Sequence, residues 1–206
     1  MNNKDLFVKV DKILLESSKP SDEIRSLIED GHFDIEPFNL IKKLANIDQN
    51  PKYHPEGNVL NHILLVTDNA SNLKEKAIDK RAFMWGAFLH DIGKLTTTKI
   101  RKNRITSYNH DIEGEQISLN FLDKLDDDEK FKKRVSKLVR WHMQPLFFDK
   151  KLPFFKPKDM LNDVEYKEIA LLSLCDRLGR GKMNPETIES EKNRIENFKK
   201  YFEHID

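Results

Sequence analysis

Residues 83–89 read Phe, Met, Trp, Gly, Ala, Phe, Leu, and His90 and Asp91 follow directly. A helix that is apolar on every side is buried. An imidazole and a carboxylate at its end are costly to bury unless other groups pair with them. The chain must fold around this helix and bring compensating chemistry to its end.

Helical periodicity points to that chemistry. In "VSKLVRWH", Val135, Leu138, Val139 and His142 fall at i, i+3, i+4 and i+7, so His142 continues the apolar stripe. Ile169, Leu172, Ser173 and Asp176 repeat the spacing, as do Val59, His62, Ile63 and Val66. His62, His90, Asp91, His142 and Asp176 are thus five titratable side chains, from four segments, aimed at the interior. Each alone is more ordinarily a satisfied core histidine, a cap or an ion-pair partner. Together they are best neutralised by a shared divalent cation, and imidazole with carboxylate suits a transition metal. Helical bundles build such sites from side chains on facing helices. Adjacent residues on a helix diverge by about 100°. His90 and Asp91 therefore reach one ion only at a helix end, which Gly93 is expected to provide.

The rest of the chain reads as mostly helical. Short helices are expected over "KDLFVKVDKILLES", over "DEIRSLIEDG" (capped by Ser21 or Asp22 and ended by Gly31) and over "EPFNLIKKLAN". A loop, "IDQNPKYHPEGN", precedes longer helices. A small hairpin is expected near residues 97–108. Asp111 is expected to cap the following helix, with His110 at its mouth. The segment 144–158, with Pro145, Pro153 and Pro157, is expected to be a loop that helps shape the pocket. Seven glycines and eight prolines in 206 residues argue against an all-β sandwich. A net charge of +1 gives no global pull toward nucleic acid or membrane. The single cysteine, Cys175, excludes an internal disulfide and reads as a core residue. The first residues lack the apolar core of a signal peptide, and no run reaches the roughly 18 apolar residues of a membrane span. A cytoplasmic protein with no membrane partner is expected.

In order, "QNPKYHPEGNVLNHILLV", "GAFLHDIGK", "HDIEGEQIS", "VRWHM" and "CDRLGRG" resemble the HD superfamily of metal-dependent phosphohydrolases. In particular they resemble the C-terminal HD domain of bacterial CCA-adding tRNA nucleotidyltransferases. The likeness covers about residues 20–185. The nucleotidyltransferase head and its paired-carboxylate strand motif are absent, so CCA addition is not expected. The resemblance implies an all-α helical bundle, with an N-terminal helical extension over residues 1–50, the HD domain over 51–185 and a C-terminal helix over 186–206. It implies His62, His90, Asp91 and Asp176 as ligands of a divalent metal: manganese, nickel, iron, cobalt, magnesium or zinc. His110 and His142 stand where dinuclear members place ligands of a second ion, with Asp91 bridging.

The function implied is hydrolysis of a phosphoester in a nucleotide, cyclic nucleotide or RNA end by metal-activated water. Asp91, Lys94, His110 and His142 are the candidate catalytic residues. Lys94, Arg177, Arg180 and His54 are candidates for holding a small phosphorylated substrate. Lys94 otherwise reads as a solvated helix-end lysine, Arg177 and Arg180 as ion-pair partners, and His54 with Glu56 either as lining the pocket or as builders of a turn. The basic strip 99–104 reads more readily as an exposed hairpin tip than as an RNA guide. Two other readings share the residues: a non-catalytic nucleotide-binding regulatory module, and a di-iron oxygenase.

Overall fold

The computed structural model describes residues 1–126, 128–181 and 183–204. Helix α1 spans Asn3–Glu16, with Leu6, Val10, Ile13 and Leu14 buried along one face, and the Asn2 side chain caps it by accepting from the Asp5 amide. Helix α2 spans Pro20–Glu29. Neither Ser21 nor Asp22 caps it. It opens on Pro20, whose fixed φ and missing N–H suit the first turn, and the Ser21 hydroxyl donates instead to Asp68 at 2.6 Å. The third expected helix is shorter than its pattern: α3 covers Asn39–Lys43 and continues as a 3-10 turn over Leu44–Asn46.

Helix α4 (Val59–Leu73) is capped by Asn58, and α5 (Lys80–Leu89) by Asp79. A turn over 90–93 leads to the short α6 (Lys94–Thr97). Strands β1 (Lys99–Arg101) and β2 (Arg104–Thr106) form the hairpin, pairing Ile100 with Ile105. Lys102 and Asn103 both have positive φ, as a tight two-residue hairpin turn demands. Helices α7 (His110–Asp123) and α8 (Glu129–Trp141) follow and pack together. Asp111 is not the cap of α7. Asn109, in the left-handed conformation, takes that place, and Asp111 accepts from Arg140 at 2.7 Å.

The segment expected to be a loop carries two helices, α9 (Gln144–Asp149) and α10 (Pro157–Leu161). Pro145 and Pro157 sit in their first turns, where the absent N–H has no intrahelical partner to lose. Helices α11 (Tyr166–Leu178) and α12 (Pro185–Glu203) complete an all-α architecture with one small sheet. Among the described residues, no helix is long and apolar enough to cross a membrane.

Helix α5 lies at the centre, packed on α1, α4, α8 and α11. Phe83, Met84, Trp85, Ala87, Phe88 and Leu89 are fully buried. Each of the larger side chains contributes about 1.5–3 kcal/mol by leaving water. The one polar atom of Trp85 is satisfied, its indole N–H donating to Asp11 at 2.7 Å. Gly86 lets α8 approach: a Cβ there would lie 3.1 Å from the Leu138 side chain. The end of α5 is held from four sides, which fixes where His90 and Asp91 emerge.

Candidate metal centre

His90 and His142 are each the residue at which a helix stops, α5 and α8 respectively. The last carbonyls of a helix have no intrahelical donor. His90 Nδ1 uses one, donating to Ala87 O at 2.8 Å, and His142 Nδ1 does the same to Val139 O at 2.6 Å. His110, at the start of α7, donates from Nδ1 to Ser107 O at 2.7 Å. A carbonyl oxygen only accepts, so Nδ1 carries the proton in all three rings. Each neutral ring then presents an unprotonated Nε2.

These lone pairs converge on Asp91. Its Oδ2 lies 3.4 Å from His90 Nε2 and 3.7 Å from His62 Nε2. Its Oδ1 lies 3.4 Å from His110 Nε2 and 3.9 Å from His142 Nε2. One carboxylate thus turns an oxygen to each of two donor groups. Asp176, from α11, joins the first group, its Oδ1 3.0 Å from His62 Nε2. The residues singled out from helical spacing are therefore brought together from α4, α5, α8 and α11, with His110 added from α7.

The donor set fits a cation. His90 Nε2 is buried and has no hydrogen-bond partner. His110 Nε2 and His142 Nε2 face each other at 3.3 Å, two lone pairs with no proton between them once both Nδ1 atoms are donors. Buried polar atoms left in this way are costly, and a divalent ion bound through imidazole and carboxylate satisfies them. Electrostatics agree. Burial works against the charged form of Asp91, but the Lys94 ammonium outweighs it and holds its carboxyl well below the usual range. Asp176 is held low in the same way, burial being outweighed by His62 and then Arg180. Burial, with His110 and His90 nearby, pushes His142 down to about 3, keeping its Nε2 unprotonated.

Lys94 is not a solvated helix-end lysine. It is 9% exposed, and its Nζ lies 2.6 Å from Asp91 Oδ2 and donates to Gln49 Oε1 at 2.7 Å. Gln49 escaped the sequence reading, since it sits in a turn-rich loop without periodicity. Glu56 does more than build the turn before α4. Its side chain is 3% exposed, accepts from His54 Nδ1 at 2.8 Å, and brings the same oxygen to 2.8 Å from His62 Nδ1. The approach to His62 is oblique, so it is a close charge contact rather than a well-formed hydrogen bond. Burial alone would raise the Glu56 carboxyl, but the His54 and His62 rings bring it to about 2. Carboxylates of this kind, behind a ligating histidine, orient the ring and raise its basicity.

Above the cluster opens a cavity of about 520 Å³. Its charged walls, apart from Asp91 and Asp176, are cationic: Lys52, Lys94, Arg104 and Arg180. His54 also lines it. Arg177 does not. It is 2% exposed and its guanidinium is paired with Glu191 of α12. Arg177 directly follows Asp176 on α11 and so points away from it, whereas Arg180 lies beyond the end of the helix at Gly179 and lines the cavity. In the basic strip, Arg104 stands at the cavity while Lys99 and Arg101 are exposed on the hairpin.

The HD domain family model matches residues 59–181, more than half of the chain. The chain belongs to the HD domain family. Members are generally metal-dependent hydrolases and bind divalent metals, in keeping with the donor cluster found here. Two multifunctional CCA proteins of Actinobacillus pleuropneumoniae, from serotype 5b (strain L20) and serotype 7 (strain AP76), are similar to it. Each is 33% identical over 78 residues, 37% of this chain and 18% of the relative. The chain thus matches less than a fifth of the length of these relatives.

Proposed function

We propose that this HD domain hydrolyses a phosphoester of a nucleotide, cyclic nucleotide or RNA end. The observation that carries this reading is the placement of Asp91: one oxygen faces His62 and His90, the other faces His110 and His142, and a cationic cavity opens directly above. His62, His90, Asp91 and Asp176 would hold one divalent cation. His110, His142 and Asp91 would hold a second. Such a cation supplies Lewis acidity toward a phosphoryl oxygen and the attacking water.

The protein's own groups do the rest. Lys94, Arg104 and Arg180 bind and orient the anionic phosphate group, because a cavity wall of one sign concentrates the opposite charge. Lys94, fixed by Gln49, is placed to contact a phosphoryl oxygen beside Asp91. With only one cation bound, His110 Nε2 is free to take a proton from the attacking water, and His142 Nε2, held unprotonated, to orient it. The resemblance of the motifs to the HD domain of CCA-adding tRNA nucleotidyltransferases supports a substrate related to nucleotides or RNA ends.

The test is elemental analysis of the purified protein, followed by a panel of nucleotides, cyclic nucleotides and simple phosphoesters, run beside Asp91→Ala. The variant is expected to lose bound metal and turnover together. Full metal content and full activity in Asp91→Ala would place the site elsewhere.

A further inference from the structure

A second cleft, of about 270 Å³, adjoins the cationic cavity. Ser107, Tyr108, His110 and Met143 line both, so the two share a wall beside the metal-ligand cluster. Their characters differ. The cleft is walled by Phe147, Leu152 and Phe154, with the Phe147 and Phe154 rings packed edge to face at 5.6 Å. Of its charged side chains, Arg140 and Asp111 are paired with each other at 2.7 Å, and Lys156 is the third.

Its apolar surface is also unusually open to water. Tyr108, Ile112, Leu152 and Phe154 are 63%, 48%, 37% and 56% exposed, and all four line this one cleft. Scattered exposed apolar residues are ordinary, whereas a contiguous group marks a binding surface. The wall is built to persist. Gln144, 1% exposed, accepts from the Lys156 amide at 2.7 Å and donates to Phe154 O at 3.3 Å, tying the 154–156 segment to the start of α9.

We infer that this cleft seats an aromatic leaving group of the substrate, of the size of a nucleobase or aryl ring, while its phosphate lies in the cationic cavity. The inference rests on the phosphohydrolase reading above. Hydrolysis then joins the water oxygen to phosphorus and breaks the bond between phosphorus and the ester oxygen. The proton given up by water is balanced by one gained on the leaving oxygen. The products are inorganic phosphate and an aromatic or nucleoside alcohol. Flat apolar walls recognise the π-face of a ring by stacking and burial.

The experiment measures binding of inorganic phosphate, 1-naphthyl phosphate and 1-naphthol to the metal-loaded full chain by calorimetry. The ¹³C-methyl resonance of Met143 serves as a second readout that does not depend on turnover. The expected result is that 1-naphthyl phosphate binds at least about tenfold tighter than inorganic phosphate and shifts the Met143 methyl. Phe154→Ala, at an exposed position, should cost 1-naphthyl phosphate about 5- to 100-fold, the range for loss of one stacking side chain, and leave inorganic phosphate unchanged. Phe147→Leu should act in the same direction and guards against a rim effect of Phe154 alone. If 1-naphthyl phosphate binds no tighter than inorganic phosphate, or 1-naphthol binds as tightly as the ester, the leaving-group assignment is overturned while the phosphate site stands. If neither phosphate species binds, both readings fall.

Discussion

Glu56 holds the Nδ1 edge of His62 at 2.8 Å, on the far side of the ring from Asp176, which stands 3.0 Å from Nε2. The imidazole is gripped between two carboxylates, one of them outside the donor cluster. Glu56→Gln preserves the shape and removes the charge. Metal affinity is expected to fall about 10- to 100-fold, as for other carboxylates behind ligating histidines, with the helical circular-dichroism signal retained. A metal titration showing wild-type affinity would reduce Glu56 to a builder of the loop before α4.

The same grip sets a pH dependence. Burial would lower His62, but Asp176 and Glu56 overcome it and raise the ring to about 9 in the metal-free protein. Its folded value lies above the ordinary 6.5, so its contribution to metal-free stability is full below that value and lost as pH rises through about 9. At pH 7 the ring carries a proton that a metal must displace. Metal uptake should therefore release roughly one proton, and affinity should climb by up to tenfold per pH unit toward that value. Calorimetry in buffers of different ionisation enthalpy counts the protons, and a count of zero contradicts the assignment of His62 as a ligand.

Gly93 matters for close approach. Its φ is an ordinary helical −65°, yet a Cβ on it would lie 2.0 Å from His110 O and 2.6 Å from the Gly114 amide. Gly93→Ala must push α7 away and carry His110 with it. The loss in stability is expected at the upper end of the ~1–3 kcal/mol typical of overpacking, read as a lower melting temperature. An unchanged melting temperature would show that the turn and α7 are not packed this tightly.

Lys94→Ala separates metal holding from substrate holding. The ammonium sits on Asp91 Oδ2 at 2.6 Å and would compete with a cation there. The variant should retain metal, while turnover of phosphate substrates falls about 10- to 100-fold, the worth of one charged hydrogen bond. Unchanged kinetics would leave Lys94 as a structural partner of Gln49.

The helical nature of the chain and most of the donor cluster were legible in the residues. Facing is a local property of a helix, so apolar neighbours at i±3 and i±4 were enough to turn His62, His142 and Asp176 inward. The end of an all-apolar helix placed His90 and Asp91. Gly93 marked the site for a different reason from the one expected. It is needed for contact with α7, which lies outside its own turn. The prolines of residues 144–158 read as breakers, although at a first turn they are tolerated and two short helices form.

By itself, the sequence determined which side chains face the core and that a cation should balance them, because both follow from spacing and from the cost of burying charge. Only the tertiary structure decided that Arg180 and not Arg177 reaches the cavity, that Gln49 steadies Lys94, that Glu56 backs His62, and that an apolar cleft shares a wall with the donor cluster. Each of these is a meeting of segments distant in the chain. Their distances are set by how α4, α5, α7, α8 and α11 pack together, and packing is a property of the whole core rather than of any one helix.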